Sequence, residues 1–231
     1  MRSAVPVLEL SLAQAEHFQD FGVNAPLSLR VSAGECVLIE GSDAAQLAAF
    51  SDLCSGLVPL RGGNVRFAGR DWSDLPHDYA AALRGRIGRV FATGGWLPFL
   101  DAETNILLPQ LHHTRGDREE LRRTAQALAQ DFGLPGLPLG RVDALAVPDL
   151  GRAGLVRAFL GEPLLVMLED PTRGLLASLA PAVLNHAAMT RDRGGAVVWL
   201  ARSGLAHVDP SFASQRLQLG VEGLVPARQA T

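Results

Sequence analysis

The chain has 231 residues, 48% of them hydrophobic and 19% charged, with a formal net charge of -3. That length buries a substantial core in one folded unit, the composition leaves no disordered tract, and the slightly acidic balance provides no basic field for nucleic acid. All 21 basic residues are arginine, so any mechanism that needs a lysine is excluded.

Read from the start, the run MRSAVPVLELSLAQAEHF is broken by Glu9 and Gln14, so neither a signal-peptide core nor a spanning segment is expected there, and the chain reads as cytosolic. Residues 5 to 12 (VPVLELSL) and 27 to 31 (LSLRV) alternate or run apolar like strands, with turn-rich residues 20 to 26 between them, which predicts a β-hairpin. Cys36 to Glu40 (CVLIE) is a short apolar strand ending at Gly41. The Ala-rich stretch AAQLAAFSDLCSGL follows as a helix until Gly56 stops it. Strand, glycine turn and helix together outline a phosphate-binding βα unit. Cys36 and Cys54 fall in these apolar segments without the spacing of a zinc site or a disulfide framework, and are expected to be buried thiols.

Residues 64 to 70 (NVRFAGR) and 87 to 91 (IGRVF) are expected as two more strands, and Leu97 to Pro109 opens a leucine-rich segment punctuated by proline. Residues 117 to 132 carry apolar residues at helical spacing with acidic residues at the start, and a second helix is expected over 149 to 160. The continuous apolar runs at 164 to 168 (LLVML) and 196 to 201 (AVVWLA) predict central strands of a parallel sheet, and the tail from Val221 to Thr231 reads as frayed. The six histidines, at 17, 77, 112, 113, 186 and 207, include no i,i+4 pair suited to a metal and are expected at the surface.

Five ordered stretches, VLELSLAQ, LSLRVSAGECVLIEG, CSGLVPLRGGNVRFAGRDWSDLP, IGRVFATGGWLPFLDAETNILLPQL and VRAFLGEPLLVMLEDPTRGLL, resemble the corresponding segments of the ATP-binding subunit of ABC transporters, covering nearly the whole chain. The resemblance implies an α/β P-loop NTPase fold of the ABC type, with a mainly parallel sheet core, an N-terminal antiparallel β portion and an inserted helical subdomain. Residues 1–231 then form one ATP-binding domain, with the core at about 1–95 and 156–220 and the helical insertion at about 96–155. Within the family, LPFLDAETNILLP is similar to ATPases serving lipoprotein release, macrolide export and phospholipid trafficking.

The resemblance also locates the site. A P-loop, G-x-x-x-x-G-K-[ST], uses glycines to close backbone N–H groups around phosphate, lysine to neutralise charge and a hydroxyl to hold Mg²⁺. The matching window is Gly41, Ser42, Asp43, Ala44, Ala45, Gln46, Leu47 and Ala48, in which Gln46 replaces the second glycine, Leu47 the lysine and Ala48 the hydroxyl. What is left is a helix N-terminus with an N-cap at Asp43 or Ser42, open to an anion only weakly. The family's paired carboxylates, Asp for Mg²⁺ and Glu for the attacking water, become Glu169 and Asp170 in inverted order, either a remnant catalytic site or solvated acids after a buried strand. The magnesium-sensing glutamine falls at Ala92, the switch histidine at Arg202 (read as a surface cation), and the LSGGQ signature at Leu145 to Asp149, LAVPD, sound only as a helix start. Phe18 or Phe21 would stack on adenine, or else be buried in the hairpin.

The resemblance implies ATP and Mg²⁺ as cofactors, a membrane permease and a second ABC-type subunit as partners, and a place at the inner face of the membrane through those partners. Trp96, Leu97, Phe99 and Leu100 lie where a permease helix would dock, or where the insertion packs on the core. Three functions stay open: a catalytically weak or inactive structural subunit, a weak ATPase for lipid or lipoprotein-type transport, and a free-standing scaffold.

Overall fold

The computed structural model describes residues 5–93, 95–113, 117–171, 179–203 and 212–227. With strands and helices numbered in chain order, β3 (Cys36–Gly41), β6 (Ile87–Val90), β7 (Leu165–Glu169), β8 (Ala196–Arg202), β9 (Gln215–Gly220) and β10 (Gly223–Pro226) form one sheet in the order β10-β9-β3-β8-β7-β6. Its strands pair in parallel except β10 with β9. A separate antiparallel sheet has the order β2-β1-β4-β5, from β1 (Leu8–Ala15), β2 (Leu27–Val31), β4 (Leu60–Phe67) and β5 (Arg70–Asp71). The α/β fold expected from the sequence, a mainly parallel sheet with an N-terminal antiparallel portion, is thus the observed one.

A strand buried on both faces reads as a nearly continuous apolar run, and β7 is buried throughout, apolar from Leu165 to Leu168 and ending in Glu169. Successive side chains point to opposite faces, so β3 sends Cys36 and Leu38 into one core cluster and Val37 and Ile39 into the other. The first face is covered by α3 (Ala102–His113), α4 (Arg118–Asp131), α5 (Val147–Phe159) and α6 (Ala180–Asp192), through Ile106, Leu128, Val156 and Val183. The second is covered by α1 (Ala44–Cys54) and the antiparallel sheet, through Phe50, Leu53, Leu10 and Phe67. Each large side chain so buried contributes roughly 1.5–3 kcal/mol relative to exposure.

Two contacts place the site. A Cβ at Gly88 on β6 would lie 1.8 Å from the carbonyl oxygen of Ala158, so only glycine lets this strand touch the backbone of α5. At the end of α1, Gly56 has φ 63° and its missing Cβ makes room for Trp72, whose indole N–H donates to the Cys54 carbonyl at 3.1 Å. The guanidinium of Arg84, from α2 (His77–Arg84), donates to the carbonyls of Ser55 and Gly56 and completes the helix stop.

Several expectations are corrected. The stretch 64 to 70 is not one strand, because Ala68 and Gly69 have φ of 50° and 74° and make the two-residue turn between β4 and β5. The tail is not frayed over 221 to 227: Leu224 pairs with Leu219, whose burial anchors the β9–β10 hairpin. Residues 228–231 lie outside the described residues. His186 is buried, not at the surface, between the rings of Phe132 and Phe159, and its Nε2 lies 3.1 Å from the Asp131 carboxylate. His17, His77 and His112 are exposed, whereas the side chain of His113 and all of His207 lie outside the described residues. Both cysteines are free and buried, and burial pushes the Cys36 thiol up to about 12.

Candidate functional site

The β3–α1 loop is closed by its own side chains. Asp43 is the N-cap: its Oδ1 accepts the Gln46 N–H at 2.9 Å, and its Oδ2 accepts the Ser42 hydroxyl at 2.9 Å. The Gln46 amide bond first, and the hydroxyl second, hold the Asp43 carboxyl below its ordinary range. Gln46 is itself buried; its Oε1 accepts the Ser42 N–H and its Nε2 donates to the Phe21 carbonyl, each at 2.8 Å. Leu47 is 1% exposed and packs into the core beneath Gly41. A Cβ on Gly41 would lie 2.6 Å from Leu47 Cδ2 and 2.8 Å from Gln46 Oε1, so a side chain there would have to displace both of these side-chain ends. Ala44, Ala45 and Ala48 bring only methyl groups to the turn.

The two carboxylates at the end of β7 are separated by their partners. Glu169 is 2% exposed. Its Oε1 accepts from Arg89 Nε at 2.6 Å and its Oε2 from the Ala92 N–H at 3.2 Å. Arg89 also donates from Nη1 to Asp52 at 2.5 Å and from Nη2 to the Ala48 carbonyl at 3.3 Å, with its guanidinium 4.3 Å from the centre of the Phe91 ring. Asp170 adopts a left-handed backbone, φ 43°, and its carboxylate accepts both the Nε of Arg202, at 2.9 Å, and that residue's backbone N–H, at 3.1 Å. Arg202 is therefore no solvated surface cation but the partner of Asp170. Ser203, next along, donates its N–H and hydroxyl to the Gly41 carbonyl and ties β8 to the loop.

Of the remaining sequence-predicted positions, Phe21 touches the loop through its carbonyl. Leu145 ends a short 3-10 turn, Pro148 occupies the first turn of α5 and Asp149 pairs with Arg152 at 2.7 Å. Phe18 is buried in the hairpin core, and Phe21 contributes its carbonyl to Gln46. Among the described residues no three His, Cys, Asp or Glu gather as a metal site. The reading from sequence missed Arg89, Asp52 and Arg157. A charged residue inside the apolar strand IGRV was the available signal, since a buried guanidinium needs carboxylate partners.

Beside β6 a groove of about 200 Å³ opens between the parallel sheet and α5, lined by Leu57, Phe91, Pro109, Arg157, Leu160 and Pro163. Arg157 lies 5.2 Å from the Phe91 ring centre and 4.3 Å from that of Trp96, and donates to the Gly95 carbonyl. Burial, and after it the charge of Arg89, pushes Arg157 down to about 10. Trp96 packs on the core, whereas Leu97 and Phe99 are exposed, Phe99 by 77%.

No family model matches the chain. It is 30% identical over 171 residues to an uncharacterized ABC transporter ATP-binding protein, YbbA, of Escherichia coli, covering 73% of each. It is also 30% identical over 198 residues to the nickel import ATP-binding protein NikE of Pseudomonas putida, covering 84% of this chain and 71% of that one. The chain belongs to the ABC transporter ATP-binding protein family. With the macrolide export ATP-binding/permease protein MacB of Sodalis glossinidius this ABC chain shares 30% identity over 183 residues, but it spans only 28% of that relative's length. A bacterial ABC transporter cassette solved as a dimer has the same fold, with a TM-score of 0.79 at 20% identity over 96% of this chain and all of the other. The same match holds for a post-hydrolysis dimer bound to ADP and Pi.

Proposed function

We propose that this chain is an ABC-type subunit that does not turn over nucleotide and serves as a structural or regulatory partner of a membrane permease. One observation carries the reading: the Ser42 and Gln46 N–H groups at the site of a P-loop are already bonded to Gln46 Oε1 and Asp43 Oδ1. A triphosphate arriving there meets the Asp43 carboxylate, no ammonium group, and an alanine in place of the magnesium-holding hydroxyl. ATP and Mg²⁺ do not fit this set of residues, because nothing in it offsets their charge or satisfies their ligands. The rival reading, a weak ATPase using Glu169 and Asp170, needs carboxylates free to act, and each is held by an arginine. Calorimetric titration of ATP–Mg²⁺ into the protein is expected to give no binding below millimolar concentration. A micromolar Kd, about 8 kcal/mol of binding energy, overturns the proposal.

Residues 1–231 act in this reading as one cassette, the core at about 1–95 and 156–220 carrying an insertion at about 96–155. Partner recognition falls to the groove beside β6, where Arg157 faces an apolar wall without an ion pair among the described residues. A cytosolic permease segment that presents a carboxylate between apolar side chains suits it, since a desolvated charge pair adds specificity. A second ABC-type subunit, identical or not, completes the assembly. No helix among the described residues is long and apolar enough to cross a membrane, so the place at the inner face of the membrane comes through the permease. Arg157→Glu is expected to lower the fraction of protein that sediments with membranes of its native cell by about tenfold or more. Unchanged sedimentation removes the groove from the docking surface.

A further inference from the structure

We propose that Arg89 is a built-in cation that takes the place of a divalent metal, so that α1, β7 and the chain leaving β6 are locked in one arrangement without nucleotide or metal. Three oxygens from two elements converge on this one guanidinium: Glu169 Oε1 of β7 at 2.6 Å and, one turn apart on α1, Asp52 Oδ1 at 2.5 Å and the Ala48 carbonyl at 3.3 Å. Arg89 is 9% exposed and Glu169 2%. The free oxygen of Glu169 holds the Ala92 N–H, so the link extends to the residue after β6 and Phe91. Positions 48, 92 and 169, the three that resemble metal-handling positions, all end on this cluster.

The substitution has a chemical rationale. A hard divalent ion accepts carboxylate and carbonyl oxygens, but exchanges with solvent and chelators. A guanidinium offers five donors in a fixed plane, stays charged at any pH the fold survives, and cannot leave. Glu169 at its burial requires a resident positive charge, and Arg89 supplies it covalently. The arrangement that a metal would create on arrival is permanent here. The proposal rests on the reading of residues 41 to 48 as closed to nucleotide, and adds that the neighbouring carboxylate is closed to metal.

Thermal unfolding with MgCl2, MnCl2 or EDTA tests it on the wild type, Arg89→Ala and Arg89→Ala with Glu169→Gln. The wild-type midpoint is expected to be the same in all three solutions. Arg89→Ala is expected to melt lower and to recover by about 5 °C in excess MnCl2, because the vacated oxygens then bind the ion, while the double variant does not respond. Arg89→Lys, which keeps the charge but cannot reach three acceptors, is expected to melt between the wild type and Arg89→Ala and to ignore metal; it serves if Arg89→Ala does not fold. A wild-type midpoint raised by Mg²⁺, an Arg89→Ala midpoint indifferent to metal, or Arg89→Lys melting no higher than Arg89→Ala each overturns the proposal. ATP binding by the wild type instead overturns the reading of the loop, and the two failures are told apart by which ligand the protein answers.

Discussion

Leu47→Lys is expected to destabilise the protein by about 3–5 kcal/mol and still to bind no ATP. In an open P-loop the ammonium group would point at phosphate. Here position 47 is 1% exposed and belongs to the cluster formed with Phe50, Leu53 and Ile39, where an unpaired charge has no counter-ion. The loop above it stays shut, because Gln46 continues to hold the Ser42 N–H and the Phe21 carbonyl. The combined change Gln46→Gly, Leu47→Lys and Ala48→Ser removes the plug and restores the missing groups together, and only that variant is expected to melt higher in ATP–Mg²⁺. Urea unfolding measures the first effect and a melting series in nucleotide the second. A single-site variant that gains ATP binding shows that the loop opens on its own.

Glu169→Ala is expected to cost about 3–5 kcal/mol in urea unfolding, because it leaves the Arg89 guanidinium buried beside the half-exposed Asp52 alone. Pairing it with Arg89→Met is expected to recover more than half of that loss, since a well-packed apolar pair replaces a buried ion pair at little cost. Phosphate release from ATP is expected at background for all three proteins. A catalytic carboxylate behaves the other way round: its removal changes turnover and spares stability. A Glu169→Ala protein as stable as the wild type, with measurably less turnover, identifies this residue as chemical instead of structural.

Much of the frame was legible because burial on both faces leaves a local mark. CVLIE and LLVML could be read as central strands since two covered faces favour a nearly continuous apolar run. The shorter pieces were not. Residues 223 to 226 form β10 only because β9 lies alongside, and a four-residue strand has no periodicity of its own. Helices α2 and α6 were passed over: HDYAAALR is short, and α6 has no side-chain N-cap, its start being marked by Pro181 alone. The site divides in the same way. That Leu47 cannot neutralise phosphate follows from its side chain alone. That Gln46 fills the cradle depends on Phe21, 25 residues away, and the Arg89–Glu169 pair spans 80 positions. Such pairs are set by strand order, β6 beside β7, which no local pattern records.

The backbone contact between Gly88 and Ala158 has a mechanical consequence. Side chains at most strand–helix junctions act as springs that absorb small displacements by changing rotamer, but here main chain meets main chain with nothing compressible in between. A displacement of α5 is therefore expected to carry β6, and Arg89 on it, along.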